Sequence, residues 1–184
     1  MSADSVFWIA SQTKPMTAAA VMKDTTFWTN EAQAARVAKS YRPNAEKTGL
    51  EEFAISQLIY PLTDRAHRFP MPAGGLFSTA RDTARFCRML LNNGELDGHR
   101  ILTESAVLEL SKRQTPESMK ESYGLGFSVS PDSFGHGGAH STNMDIRLKD
   151  GLVLIWMIQH AGFPGDGNTA HPIFKNWAVK RFGK

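Results

Sequence analysis

Ala10-Ser11-Gln12-Thr13-Lys14-Pro15-Met16-Thr17-Ala18-Ala19-Ala20 sets a hydroxyl and an amine three residues apart at the start of an expected helix. Residues i and i+3 share a helix face, so Ser11 and Lys14 can meet in space. Pro15 fixes where the helix begins, because proline lacks an N–H and is tolerated only in the first turn. A helix over residues 17–21 therefore starts near Ser11. Its positive end would favour negative charge developing at the hydroxyl, and a neutral Lys14 beside it can take the serine proton. S-x-x-K is a short pattern, however. Its alternative reading is a capped amphipathic helix with Lys14 in solvent, and only context decides between them.

On its N-terminal side, Val6-Phe7-Trp8-Ile9 is an apolar run leading into Ser11 that reads either as a buried strand end or as a hydrophobic plug that aims the helix. Lys23-Asp24-Thr25-Thr26 is polar and turn-like, which limits the first helix to about three turns. Thr29 or Asn30 can cap a second helix reaching about Ser40. Prolines and glycines interrupt residues 41–72, where only 53–60 has strand or short-helix character. Pro72-Ala73-Gly74-Gly75-Leu76 is a tight turn before the clearest helix. Ser78 or Thr79 is its N-cap, Asp82 lies in its first turn, and Ala84, Phe86, Cys87, Leu90 and Leu91 form its apolar face. Gly94 stands where a C′ glycine belongs.

After a turn at residues 94–98, Thr103 caps a helix whose Val107, Leu108 and Leu110 are expected to face inward. Residues 123–129 and 143–148 read as alternating strands. Lys149-Asp150-Gly151 is a hairpin turn, and the wholly apolar residues 152–158 suggest a central strand covered on both faces. Residues 172–182 form a closing helix. Helices first and antiparallel strands later predict a single α+β domain over 1–184.

Composition narrows the partners. The net charge of +3 is slight and the basic residues are scattered, which argues against nucleic acid. The single cysteine, Cys87, excludes an internal disulfide and a multi-cysteine metal site, and its place on an apolar helix face makes it core. No apolar run approaches the ~18 residues of a membrane span, and no signal-peptide pattern opens the chain. The expected compartment is the cytoplasm, or the periplasm or exterior if a signal lies upstream.

A second motif lies between the first two late strands: Phe134-Gly135-His136-Gly137-Gly138-Ala139-His140. Glycines around one histidine let backbone and imidazole approach a ligand closely, and spare N–H groups can face an oxyanion. Three readings stand together. One is a hairpin loop with incidental histidines, and a second is a metal site from His136 and His140, for which no third ligand is near. The third is a catalytic edge strand.

With Phe7-Trp8-Ile9-Ala10-Ser11-Gln12-Thr13-Lys14-Pro15, Pro72-Ala73-Gly74-Gly75-Leu76-Phe77-Ser78-Thr79, Tyr123-Gly124-Leu125-Gly126-Phe127 and Gly135-His136-Gly137-Gly138 in this order, the chain resembles the serine β-lactamase-related hydrolases. These are class C β-lactamases, family VIII carboxylesterases and D-alanyl-D-alanine carboxypeptidases. The resemblance implies a β-lactamase/transpeptidase-like antiparallel sheet packed with helices, in reduced form. It implies an acyl-enzyme on Ser11, activation by Lys14, and binding or polarisation of the substrate by His136. Gly137, Gly138 and Ala139 would line the substrate, and the oxyanion hole would combine the N–H of Ser11 with that of Ala139 or His140. A small ester or amide is the implied substrate, and no cofactor or metal is called for. H-G-G where many relatives carry K-T-G leans toward esters.

Two departures accompany the resemblance. Relatives carry a catalytic Tyr-x-Asn between the S-x-x-K helix and the region resembling residues 22–28, and nothing between Ser11 and Trp28 matches that tyrosine. Tyr41 has its asparagine, Asn44, three residues on rather than two. The two strands that precede Phe7-Trp8 in relatives are also missing. One sheet edge is therefore expected to be uncovered, and the alternative to a serine hydrolase is a shortened, catalytically weak or inactive homologue that binds a ligand or associates with itself through that edge.

Overall fold

The computed structural model describes residues 2–9, 22–55 and 60–184. In chain order these form β1 (Phe7–Trp8), α1 (Glu31–Ala34), β2 (Tyr41–Pro43), β3 (Leu50–Glu52), β4 (Phe77–Ser78), α2 (Ala80–Leu91), β5 (Glu95–Leu96) and β6 (His99–Arg100). They continue with α3 (Glu104–Ser111), β7 (Ser128–Val129), β8 (Phe134–Gly137), β9 (Asn143–Arg147), β10 (Leu152–Trp156) and α4 (Ala170–Phe182). The architecture is the α+β one expected, centred on a four-stranded antiparallel sheet in the order β10-β9-β8-β7.

Side-chain alternation gives that sheet two different faces. Phe134, Met144 and Ile146 turn to one side, where they join Phe86, Cys87 and Leu90 of α2, Val107 of α3, and Phe7 and Ile9 around β1 in one core. Each such side chain contributes roughly 1.5–3 kcal/mol on burial. On the other side Trp156 packs against His171 and Phe174 of α4 at ring-centroid distances of 5.4 and 5.3 Å. Helix α2 forms because Thr79 caps it, its hydroxyl accepting from Asp82 N at 3.2 Å, and because Thr83, Phe86, Cys87 and Leu90 recur at helical spacing.

β4 anchors both sides of the S-x-x-K stretch. Phe7 and Trp8 pair with Ser78 and Phe77, and Ile9 N donates to Leu76 O at 3.1 Å. The chain returning at residues 24–26 pairs with the same strand, Thr26 and Phe77 exchanging backbone hydrogen bonds of 3.0 and 2.8 Å. Asp82 then holds this return in place, accepting from Asp24 N at 2.6 Å and Thr25 Oγ1 at 3.0 Å.

The structure corrects several sequence expectations. The helix capped by Asn30 lasts one turn instead of reaching Ser40, because Ala38 N donates to Val6 O and Val37 bridges Val6, drawing the chain alongside β1. Residues 41–52 hold a hairpin that the prolines and glycines concealed. Asn93, with φ 53°, follows the C-cap Asn92 in the left-handed region, and Gly94 comes one residue later at φ 94°. In α3, Val107 is buried but Leu108 is 59 % exposed. Residues 123–129 yield only the two-residue β7 and a bridge between Tyr123 and Ser128. The apolar 152–158 run is covered on both faces as expected, yet among the described residues β10 lies at the edge of its sheet and not at its centre. Cys87 is fully buried, as the apolar pattern predicts, and burial pushes its thiol far up from the ordinary range. No helix among the described residues is long and apolar enough to cross a membrane.

Candidate active site

Ser11 and Lys14 lie outside the described residues, as does the helix expected over 17–21. The other four candidates, His136, Gly137, Gly138 and Ala139, fall together on β8 and the turn that follows it. The hairpin-loop reading of this motif is therefore replaced. Residues 134–137 are a strand paired with β9 over its whole length, from Phe134↔Ile146 to Gly137↔Asn143. On the opposite side β7 pairs only with Phe134 and Gly135. Past that point β8 has no strand neighbour among the described residues on that side, so its His136–Gly137 end behaves as an edge inside a wider sheet.

Glycine at 135 and 138 follows from close backbone approach. A Cβ on Gly135 would sit 2.0 Å from Met144 O, and one on Gly138 would sit 2.7 Å from Ile9 O and 2.2 Å from Thr142 Oγ1. Gly138 N donates to Thr142 O at 2.8 Å and Ser141 N donates back to Gly138 O at 3.0 Å, which closes a tight turn. Ala139, exposed at the tip, has no acceptor for its N–H among the described residues. That is the property an oxyanion donor needs. His140 is instead buried, its Nδ1 2.7 Å from Ser40 Oγ and its ring 5.2 Å from that of Phe53. It braces the turn from behind.

His136 is buried on the face it shares with Phe134. Its Nδ1 lies 2.6 Å from the carbonyl of Gly137, so Nδ1 carries the proton and donates. Nε2 is then the acceptor, and the hydroxyl of Tyr123 donates to it. Tyr123 is a site residue that sequence reasoning quoted only as part of a motif. Nothing in the spacing of Tyr123-Gly124-Leu125-Gly126-Phe127 reveals which way the phenol turns. Cavities of about 240 and 350 Å³ flank β8 and its turn, and Gly137 and Asn143 line both. His136 and His140 point to different partners, which removes the metal-site reading based on that pair. Among the described residues no three His, Cys, Asp or Glu side chains are grouped to hold a metal ion.

Comparison with known proteins agrees with this architecture. Residues 21–173 match the Beta-lactamase family, a span that includes β8 and its turn and begins after Lys14. Among curated relatives, Protein Rv1367c of Mycobacterium tuberculosis strain H37Rv is 31 % identical over 165 residues, covering 76 % of this chain and 40 % of its own. The uncharacterized protein MT1414 of strain CDC 1551 matches to the same extent. The chain thus spans about two fifths of the length of these relatives. Among solved structures, a LovD6 mutant of the simvastatin synthase LovD from Aspergillus terreus superposes with a TM-score of 0.64 at 16 % identity, over 78 % of this chain and 42 % of its own. EstCE1, described as a hydrolase with promiscuous acyltransferase activity, gives 0.60 at 14 % identity over 84 % and 44 %. A penicillin-binding protein homologue from Caulobacter crescentus gives 0.56 at 19 % identity over 76 % and 43 %. With the family match covering most of the chain, and the sheet and helices superposing on this fold, the chain belongs to the beta-lactamase family.

Proposed function

We propose that the chain is a serine hydrolase of small esters or amides, working through an acyl-enzyme on Ser11. The contact between Gly138 and the Ile9 carbonyl carries this reading. Ile9 stands two residues before Ser11, and a two-residue step spans at most about 7 Å. The H-G-G turn is therefore packed against the segment whose next residues in sequence carry the S-x-x-K motif, which supports one shared site for the two motifs. In this reading Ser11 Oγ attacks the carbonyl carbon and Lys14 takes the serine proton. The N–H groups of Ser11 and Ala139 receive the oxyanion, and the backbone at Gly137 and Gly138 lines the acyl portion. Family membership supports serine acyl-transfer chemistry in general, and the histidine of H-G-G leans toward esters. The test is labelling by a fluorophosphonate probe together with turnover of p-nitrophenyl acetate. Both are expected in the wild type and absent from Ser11→Ala. Equal labelling of the two proteins would overturn the assignment.

A second reading rests on β10. Residues 152–158 form an uncharged apolar run, and β10 is an edge of its sheet among the described residues. Natural edges are usually blunted by charge or proline. An uncharged strand can pair antiparallel with its own copy about a two-fold axis, so the partner proposed is a second copy of this chain. Light scattering after size exclusion decides this: a wild-type dimer supports it, and a wild-type monomer at high concentration overturns it.

A further inference from the structure

We propose that Tyr123, backed by His136, is the group that moves the proton of the hydrolytic water when the acyl-enzyme breaks down. This rests on the serine-hydrolase reading and adds a residue and a step to it. A neutral histidine has one donor and one acceptor nitrogen, and both are already used in His136. Nδ1–H donates to Gly137 O at 2.6 Å, and Nε2 accepts from the Tyr123 hydroxyl. The ring nitrogens are thus turned to protein partners, and His136 cannot offer either of them to a substrate without giving up a buried bond. A phenol has one proton and two lone pairs. With its proton committed to Nε2, Tyr123 Oη still has lone pairs with which to accept.

The backbone that carries the phenol is also braced. Tyr123 N donates to Thr115 Oγ1 at 3.1 Å, and its carbonyl accepts from Gln114 N at 2.7 Å. On either side, Val129 N donates to Ser122 O at 2.9 Å and Gly124 N to Phe127 O at 2.8 Å. Gly124 is pressed against α3, since a Cβ there would lie 2.4 Å from Leu110 O. Phe127 is buried edge-on to Phe134 at 5.3 Å, which ties this segment to β8 two residues before His136. The Tyr123 and His136 rings meet nearly at right angles, at 81°. Such bracing is what a proton-transfer pair requires, because transfer needs hydrogen-bond distance to be maintained.

A water oxygen adds to the acyl carbon as its proton passes to Tyr123 Oη, and the phenol's own proton moves to His136 Nε2. The imidazolium so formed keeps its Nδ1–H on the Gly137 carbonyl. When the bond between the acyl carbon and Ser11 Oγ breaks, Nε2 returns its proton to Tyr123 and Tyr123 passes one to Ser11 Oγ. The products are the free acid and the regenerated serine, with Tyr123 and His136 as they began.

Tyr123→Phe separates this from a structural role. With p-nitrophenyl acetate the variant is expected to release about one equivalent of nitrophenol rapidly and then turn over some 10²–10³-fold more slowly than wild type. Intact mass should show an acetyl group accumulating on Ser11. Wild-type steady-state turnover in the variant would overturn the proposal, as would loss of burst and turnover together. Replacement of Tyr123 by 3-fluorotyrosine guards against misfolding, since it keeps the hydroxyl while making it more acidic. It is expected to shift the pH profile of steady-state turnover to lower pH, and an unshifted profile would overturn the proposal. Absence of any labelling or turnover in wild type would instead overturn the serine-hydrolase reading beneath it.

Discussion

Gly138 lies against Ile9 so closely that a methyl group on its α-carbon would stand 2.7 Å from the Ile9 carbonyl oxygen. Two segments separated by most of the chain are thereby locked at backbone distance. One carries the turn after β8, and the other leads directly into Ser11.

Gly138→Ala should therefore cost roughly 1–3 kcal/mol, because the obstructing atoms include backbone that cannot move aside cheaply. Gly137→Ala is the control. Its Cβ would meet nothing nearer than Asn143 Nδ2 at 3.6 Å, an ordinary contact. Thermal unfolding should show a clear loss for Gly138→Ala and little change for Gly137→Ala. Equal melting temperatures would mean that the contact does not constrain the turn.

Acid should weaken the same region from behind. Burial lowers the pKa of both His140 and His160, and their mutual repulsion lowers that of His140 further. His160 stacks on Phe163 at 3.9 Å between ring centroids, and its backbone N–H donates to the His140 carbonyl at 3.0 Å. Both rings stay neutral in the fold at pH values where an unfolded histidine is already protonated. The unfolded chain then binds more protons, so stability rises with pH in that window. It is complete above about pH 6.5 and falls as pH drops below that value toward the lowered native pKa values. Urea midpoints at pH 7.5 and 5.5 should differ accordingly, and His140→Gln with His160→Gln should flatten the difference.

Asp82 joins the returning chain to α2. Asp82→Ala leaves the Asp24 N–H without its acceptor, at about 1–3 kcal/mol, and removes one partner of the Thr25 hydroxyl, which keeps Ser78 Oγ at 2.8 Å. Thr79→Ala removes only the helix cap and should cost about 1 kcal/mol. Chemical denaturation of the two variants should rank them in that order.

On the α4 side of the sheet, Asp145 is 9 % exposed at its side chain and faces Lys175 Nζ at 2.9 Å and Arg147 Nη1 at 3.8 Å. Lys175→Met removes its nearest cation and should destabilise the sheet by about 1–3 kcal/mol, the half-exposed lysine softening the loss. Adding Asp145→Asn should recover part of it, and a double-mutant cycle measures the coupling.

Much of this architecture was legible in local sequence. Thr79, Asp82 and the spacing of Phe86, Cys87 and Leu90 specify α2, and the alternation of Met144 and Ile146 specifies β9, because caps and periodicity act within a few residues. The S-x-x-K and H-G-G motifs together identified the family. What local sequence could not decide was pairing. The 152–158 run is apolar enough for a central strand, yet position in a sheet depends on which other strands are present to flank it. The helix begun at Asn30 stopped early because Val6 captured Val37 and Ala38. Tyr123 reads as one residue of an expected strand over 123–129, and its meeting with His136 depends on its segment being tied to β7, α3 and Phe134. Local sequence sets which residues are chemically able to act. Tertiary structure decided which of them meet, because hydrogen-bond partners distant in sequence are chosen only when the core between them is packed.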